Sequence, residues 1–282
     1  MQVEVLPSAV RNVVHSHRCG GRRIGLVPTM GALHVGHVSL MDAARRNCDF
    51  VIASIFVNPL QFGPNEDLER YPRSLEKDLQ KCEAAGVDLV FTPQASQMYA
   101  PGAESEVRLT GLTRMLEGRH RPSHFDGVTT VVAKLFNITL PDQAYFGQKD
   151  YQQQLIIRRM VSDLDWGVEI VTCPIVREDD GLALSSRNRY LSPADRERSL
   201  VLFRALSLAQ ELAETASETP DSIARQMRQL FSDTDGVDLD YAVVVDCKTL
   251  ELLTGRPECA VALIAARLGK TRLIDNQILR FR

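Results

Sequence analysis

Arg23-Ile24-Gly25-Leu26-Val27-Pro28-Thr29-Met30-Gly31-Ala32-Leu33-His34-Val35-Gly36-His37 is the stretch that decides the fold. Its first five residues read as a short strand that stops at Pro28. Gly36 to Cys48 then reads as a helix, with Met41, Ala44 and Cys48 at i, i+3 and i+7. Working outward, Asp49 to Val57 is a near-continuous apolar run rich in β-branched residues, as expected of a strand buried on both faces. A polar loop follows, then a helix from about Arg73 that carries Leu75, Leu79 and Cys82 on one side. Asp88 to Phe91 is the next strand. His124 to Ile138 reads as a helix with a Val128, Val131, Val132 and Leu135 stripe. Gln143 to Phe146 is a strand, Asp150 to Leu164 a helix, and Val168 to Val171 another strand. Strand and helix in alternation imply parallel pairing through right-handed crossovers.

Residues 1–175 are therefore expected to form a Rossmann-like, doubly wound parallel sheet of the α/β class. The remainder changes character. Ser192 as N-cap and Pro193 at the first helical position open a helix carrying Leu202, Ala205, Leu206, Ala209 and Ala213 at helical spacing. A second helix begins near Pro220, and two strand-like stretches, Asp240 to Val245 and Cys259 to Ala266, close the chain. Residues 176–282 are expected to be a second, smaller α+β domain.

Composition narrows the function. Lys and Arg number 33 against 36 Asp and Glu, a net charge of −3, which argues against a long nucleic-acid track. A local positive site for one phosphorylated ligand stays open. No segment approaches the roughly 20 apolar residues of a membrane helix. The start, Met1 to Arg11, has neither a basic opening nor a continuous apolar stretch, so no signal peptide is expected. The six cysteines show neither a CxxC pair nor metal-finger spacing and are expected to be scattered, reduced residues of a cytoplasmic protein.

Four segments carry chemistry. At Met30 to His37 a glycine-bearing turn meets a helix N-terminus, where free N–H groups favour an anion and two imidazoles bracket the end. On spacing alone, a plain turn with two surface histidines is as good a reading. Asn58 to Asn65 follows the second strand and so lies at the carboxyl edge where open α/β sheets bind ligands. Gln61 can both donate and accept there, although a loop fixed by two prolines is the simpler account. Phe146-Gly147-Gln148-Lys149-Asp150-Tyr151-Gln152-Gln153 occupies a third strand-to-helix junction. Lys149 is a compact positive charge suited to triphosphate oxygens, and Gln153 lies one turn on; Asp150 is also a plain helix cap. Leu184-Ser185-Ser186-Arg187 joins hydroxyls to a guanidinium in a phosphate clamp, with an ordinary polar loop as the alternative. A metal at His120 and His124 has no third ligand nearby in sequence.

His34-Val35-Gly36-His37 after a strand resembles the HIGH signature of the nucleotidyl-transferase superfamily, and Leu184 to Arg189 resembles its KMSKS-type loop with Arg187 in place of the key Lys. Along its whole length the chain resembles the pantoate–β-alanine ligase family, through PTMGALHVGH, VNPLQFGPNEDLERYPR, LEGRHRPSHFDGV, FGQKDYQQ and VREDDGLALSSRNRYL. The resemblance implies ATP-dependent joining of pantoate to β-alanine through a pantoyl adenylate, with release of pyrophosphate and AMP. It further implies that Met30, Gly31, Ala32, Leu33, His34, Val35, Gly36 and His37 hold ATP. Gly147, Gln148, Lys149, Asp150, Val176, Leu184, Ser185, Ser186 and Arg187 would do so too. His34, His37, Lys149 and Arg187 would be catalytic. Gln61 and Gln153 would grip pantoate, with Tyr71 and Arg121 near the entrance. Mg²⁺ would arrive on the ATP phosphates, and the protein would be a homodimer. Gln148 stands where many relatives carry Glu, which removes a carboxylate near the triphosphate.

Three other readings compete. A cytidylyl- or adenylyltransferase would leave the nucleotide on its product and release no AMP. A catalytically dead nucleotide-binding module is disfavoured by the intact signatures. A tRNA-charging enzyme shares those signatures, but neutral charge and a small second domain leave little room for an RNA surface.

Overall fold

The computed structural model describes residues 1–64, 66–215 and 217–281. Asn65, the last residue of the Asn58 to Asn65 segment, lies outside them. The chain divides into two compact units, one of Met1–Gln148 and Gln152–Pro174, the other of Lys149–Tyr151 and Ile175–Arg282.

In the first unit the elements run β1 (Gln2–Glu4), α1 (Pro7–Cys19), β2 (Ile24–Thr29), α2 (Val35–Asn47), β3 (Phe50–Ile55), α3 (Leu75–Ala84) and β4 (Leu89–Phe91). Then come α4 (Ala95–Met98), α5 (Glu117–His120), α6 (His124–Thr139), β5 (Gln143–Gly147), α7 (Tyr151–Asp163) and β6 (Glu169–Cys173). Among the described residues the sheet has six strands in the order β1-β4-β3-β2-β5-β6, and every pairing is parallel. Successive strands step one way from β2 to β4 and the other way from β5 to β6. The order therefore reverses between β2 and β5, which makes that place the switch point of the sheet, where α/β folds open a crevice for ligands. The ladder between β2 and β5 covers only Gly25 and Leu26, so the two strands part before Pro28.

Both faces of the sheet are covered, which is why its strands read as continuous apolar runs. Ile24, Leu26, Ile52, Leu89, Phe91 and Phe146 pack with α1, α6 and α7 on one side. Val27, Val51, Ala53, Val90 and Tyr145 pack with Leu40, Met41 and Ala44 of α2 and Cys82 of α3 on the other. Each fully buried Val, Leu, Ile, Phe or Met among them contributes about 1.5–3 kcal/mol.

In the second unit α8 (Pro193–Arg198), α9 (Leu200–Ala213) and α10 (Pro220–Ser232) precede β7 (Asp238–Val245), β8 (Cys259–Leu268) and β9 (Thr271–Arg280). The three strands form one antiparallel sheet, β7-β8-β9. Ser192 caps α8 through Asp195 N, as its position predicts. The helix read as continuous from Ser192 is two helices meeting at Ser199, whose hydroxyl donates to Arg196 O at 2.6 Å. The two closing strand-like stretches are joined by a third strand, β9, that sequence reading did not anticipate. Val201, Leu202, Ile223 and Met227 pack on Ala242, Val244, Ala262 and Ile264 to form this unit's core.

Candidate active site

The turn after β2 is built on left-handed backbone, with Gly31 at φ +81° and Ala32 at φ +51°. Glycine adopts that region freely, whereas alanine there is strained. Asp78 of α3 holds the strained turn in place. Its two carboxylate oxygens accept the amides of Ala32 and Leu33, each at 2.8 Å, and the residue is only 1% exposed. One turn along the helix, Lys81 Nζ donates to the Leu33 carbonyl at 2.5 Å. These two amides thus grip a carboxylate of the protein itself.

His34 is the N-cap of α2, and its N–H donates to His37 Nδ1 at 3.3 Å. His37 Nδ1 is then the acceptor, which assigns the proton of the neutral ring to Nε2. The two rings lie 4.1 Å apart between centroids, and both residues are half-buried. Gly36 between them is needed for space, since a Cβ there would sit 3.0 Å from the His34 ring.

The turn after β3 is organised by Asn58, which is 1% exposed. Its Oδ1 accepts from Tyr99 Oη at 2.8 Å, and its Nδ2 donates to Gln61 Oε1 at 3.2 Å and to the Gly127 carbonyl at 3.0 Å. Gln61 Nε2 reaches Met30 Sδ at 2.7 Å, which joins this turn to the histidine turn. Any side chain at Gly127 would collide with the Leu60 carbonyl, so α6 presses its bare backbone on the turn. Burial, reinforced by the nearby Arg121 charge, pushes His124 down to about 4, so its ring is neutral at pH 7. Its Nδ1 therefore donates to the Gln61 carbonyl at 2.8 Å while Nε2 accepts from Arg121 at 3.1 Å. Both nitrogens are thus spoken for within the protein, and a His120–His124 metal pair loses one of its ligands.

Arg121 itself is paired with Glu66 through Nε at 2.7 Å and Nη2 at 2.5 Å. Burial alone would raise the Glu66 carboxyl, but the hydrogen bonds and charge of Arg121 outweigh it and hold the group below its ordinary range. Tyr71 is buried with its ring edge-on to Phe62.

After β5, Gly147 and Gln148 are half-buried, and a 3-10 turn over Gln148–Asp150 leads into α7. Gln152 and Gln153 follow at the start of that helix. Gln152 is buried and ties the preceding loop, donating to the Leu112 and Met115 carbonyls and accepting from Glu117 N. Gln153 is half-buried.

In the second unit, Lys149 is braced through its carbonyl, which accepts from Asn276 Nδ2 of β9 at 2.9 Å. Its Nζ stands 3.7 Å from Asp150 Oδ1. Val176 and Leu184 face each other across a hairpin, with Leu184 N donating to Val176 O at 3.0 Å. The hairpin turns at Gly181, φ +95°, where a Cβ would run into the Phe203 ring. Arg177 ties it to β9 through a two-pronged pair with Asp275 at 2.6 and 3.1 Å. Burial raises the Asp275 carboxyl and Arg177 opposes that shift. Ser185 caps the next turn, Ser186–Tyr190, by accepting from Arg187 N at 3.3 Å. Leu184 to Arg187 are left half-buried on this frame.

Sequence reading singled out these segments without the contacts that hold them, which come from Asn58, Glu66, Asp78, His124, Asp275 and Asn276. Only a buried position for a polar residue could have flagged them. Asp78 offers such a signal, lying one residue before Leu79 on a helix whose apolar side is Leu75, Leu79 and Cys82.

A family model of pantoate-beta-alanine ligase matches residues 4–278. The chain belongs to the pantoate–β-alanine ligase family. Its reaction as such a ligase is an amide bond between the pantoate carboxyl and the β-alanine amine. Pantothenate synthetase of Koribacter versatilis is 52% identical over 260 residues, 92% of this ligase and 89% of that protein. That of Acetivibrio thermocellus is 48% identical over 99% of both chains. Among solved structures, pantothenate synthetase from Thermus thermophilus superposes with a TM-score of 0.93 at 45% identity, over 98% of this chain and 99% of that one. The ligase from Francisella tularensis, complexed with beta-gamma ATP and beta-alanine, gives 0.80 at 34% identity, over 99% and 97%. The Rossmann-like sheet with a smaller second unit is thus the architecture of this family.

Proposed function

We propose that the ligase activates pantoate by adenylation. A carboxylate does not react with an amine directly, because its oxygen is too poor a leaving group. Attack of the pantoate carboxylate oxygen on the ATP α-phosphorus, with departure of pyrophosphate, gives pantoyl adenylate. The β-alanine amine then attacks the acyl carbon and AMP leaves, forming pantothenate. The observation that carries this reading is the His34–His37 pair, set on a turn that Asp78 clamps where β2 parts from β5. The complex of the Francisella relative with beta-gamma ATP and beta-alanine supports the two ligands.

In this reading Met30 to His37 line the nucleotide, and His37 Nε2–H and His34 donate to phosphate oxygens as negative charge grows on pyrophosphate. That is electrostatic stabilisation of the transition state, the larger contribution we assign to these rings. Lys149 follows β5, the strand beside β2, and with Gly147, Gln148 and Asp150 serves the same phosphates. Val176 and Leu184 to Arg187 bring a second cation from the lid domain, residues 176–282, and residues 1–175 are the ATP- and pantoate-binding domain. Gln61 and Gln153 hold pantoate. Arg121, fixed by Glu66, and buried Tyr71 shape the entrance. Their donor set of imidazoles, lysine and arginine suits phosphate oxygens, and fits Mg²⁺ entering on the triphosphate with water as its main ligand. When bound, Mg²⁺ neutralises phosphate charge. The same reading makes the protein a cytoplasmic homodimer; among the described residues no helix is long and apolar enough to cross a membrane.

Product analysis tests it. With ATP, pantoate and β-alanine, pantothenate and AMP form in equal amounts, and His34→Ala slows the adenylation step on the order of a hundredfold or more. A nucleotide left on the product, with no AMP, would mean a nucleotidyltransferase instead.

A further inference from the structure

Two thiols away from the proposed chemistry lie together at one end of the second unit's sheet. Val245 of β7 stands opposite Val261 of β8. Cys247 follows β7 by two residues and Cys259 opens β8, and their Sγ atoms are 3.0 Å apart. Sulfur–sulfur contact has only to shorten by about 1 Å to reach bonding distance.

The backbone holds this juxtaposition. Asp246 accepts from the amides of Lys248 and Thr249, both at 2.8 Å, and Leu250 N closes the turn on the Asp246 carbonyl at 3.1 Å. The Cys247 carbonyl accepts from Tyr151 Oη at 3.0 Å. Tyr151 is two residues from Lys149, so this bond ties the Cys247 backbone to the segment that carries the lysine. Access is one-sided, with Cys259 exposed and Cys247 half-buried. Burial pushes the Cys247 thiol up to about 12, and Cys259 is the outward sulfur. Cys48, Cys82 and Cys173 are buried, and Cys19 is exposed beside His15.

We infer that Cys247 and Cys259 are a redox modification site that closes to an intrachain disulfide by exchange with a small-molecule disulfide. The Cys259 thiolate attacks one sulfur of that reagent, whose S–S bond breaks and releases one small thiol. Cys247 then gives up its proton and attacks the Cys259 sulfur, expelling the second small thiol. Two protein thiols are oxidised, one small disulfide is reduced, and both protons end on the released thiols.

The reduced full chain, incubated with glutathione disulfide and then alkylated, tests this by intact mass and peptide mapping. The expected result is a loss of about 2 Da, a peptide joining Cys247 to Cys259, and return of both thiols with dithiothreitol. Cys247→Ser is expected to stop at a glutathione adduct on Cys259, and Cys259→Ser to leave Cys247 free for alkylation. A stable adduct on Cys259 in the unsubstituted chain would overturn the inference. So would oxidation confined to Cys19 while Cys247 and Cys259 are both alkylated.

Discussion

Asp78→Asn is the most informative single change in the ligase. The carboxylate accepts two backbone amides at 2.8 Å each, and no solvent reaches it to replace them. A hydrogen bond to a charged group is worth about 1.5–3 kcal/mol, and a neutral one about 1 kcal/mol. Asn keeps a single oxygen, so one bond falls from the first class to the second, a loss of about 1 kcal/mol. The new NH₂ faces the other amide, donor against donor, and leaves that buried N–H unsatisfied at about 1–3 kcal/mol. Together these cost roughly 3 kcal/mol, on the order of a hundredfold in a population or a rate constant. The loss falls on a turn already strained at Ala32, so the ordered form of His34 and His37 becomes the minor one. Pyrophosphate exchange at varied ATP should show kcat/KM down by on the order of a hundredfold, with the far-ultraviolet spectrum of the folded chain retained. A variant within about threefold of the parent, roughly 0.7 kcal/mol by the same conversion, would refute the clamp.

Three further outcomes follow from the geometry. Gly36→Ala puts a Cβ 3.0 Å from the His34 ring, and is expected to slow adenylation with little change in melting temperature. Asn276→Ala frees the Lys149 carbonyl from its 2.9 Å bond, and the ATP KM is expected to rise roughly tenfold, about the value of one hydrogen bond. His124 makes stability depend on pH. Its native value near 4 lies below the ordinary 6.5, so between those values the unfolded chain binds more protons. The stability it contributes is complete above about pH 6.5 and is lost as pH falls toward 4, on the order of 3 kcal/mol in all. Melting temperature against pH should show that slope, and His124→Gln should flatten it.

The alternation of β2 to β6 with their helices was legible because buried parallel strands must be apolar throughout, as Asp49 to Val57 is. Elements without such a face were not. β1 is three residues with Gln2 and Val3 exposed, and α1 buries only Val10 and Val14 among serines, histidines and arginines. β9 carries Asp275 and Asn276 in its middle, so its sequence reads as a loop although both residues are buried partners of the site's frame. The break at Ser199 was invisible because the residues on both sides favour a helix.

In the site the same contrast holds. The residues proposed to face ligand come in contiguous runs, most of them at strand ends, where topology alone places them. Residues that hold those runs act over long separations, as Asp78 does on Ala32 from 46 positions away. One chain records no sign of which buried carboxylate meets which turn until the tertiary structure joins them.

Labelled pyrophosphate supplied to the ligase with ATP, with and without pantoate and with β-alanine left out, addresses the adenylate most directly. Label should enter ATP when pantoate is present and stay out when it is absent. Exchange driven by an amino acid, or no exchange with any acid, would contradict adenylation of pantoate at the His34–His37 turn.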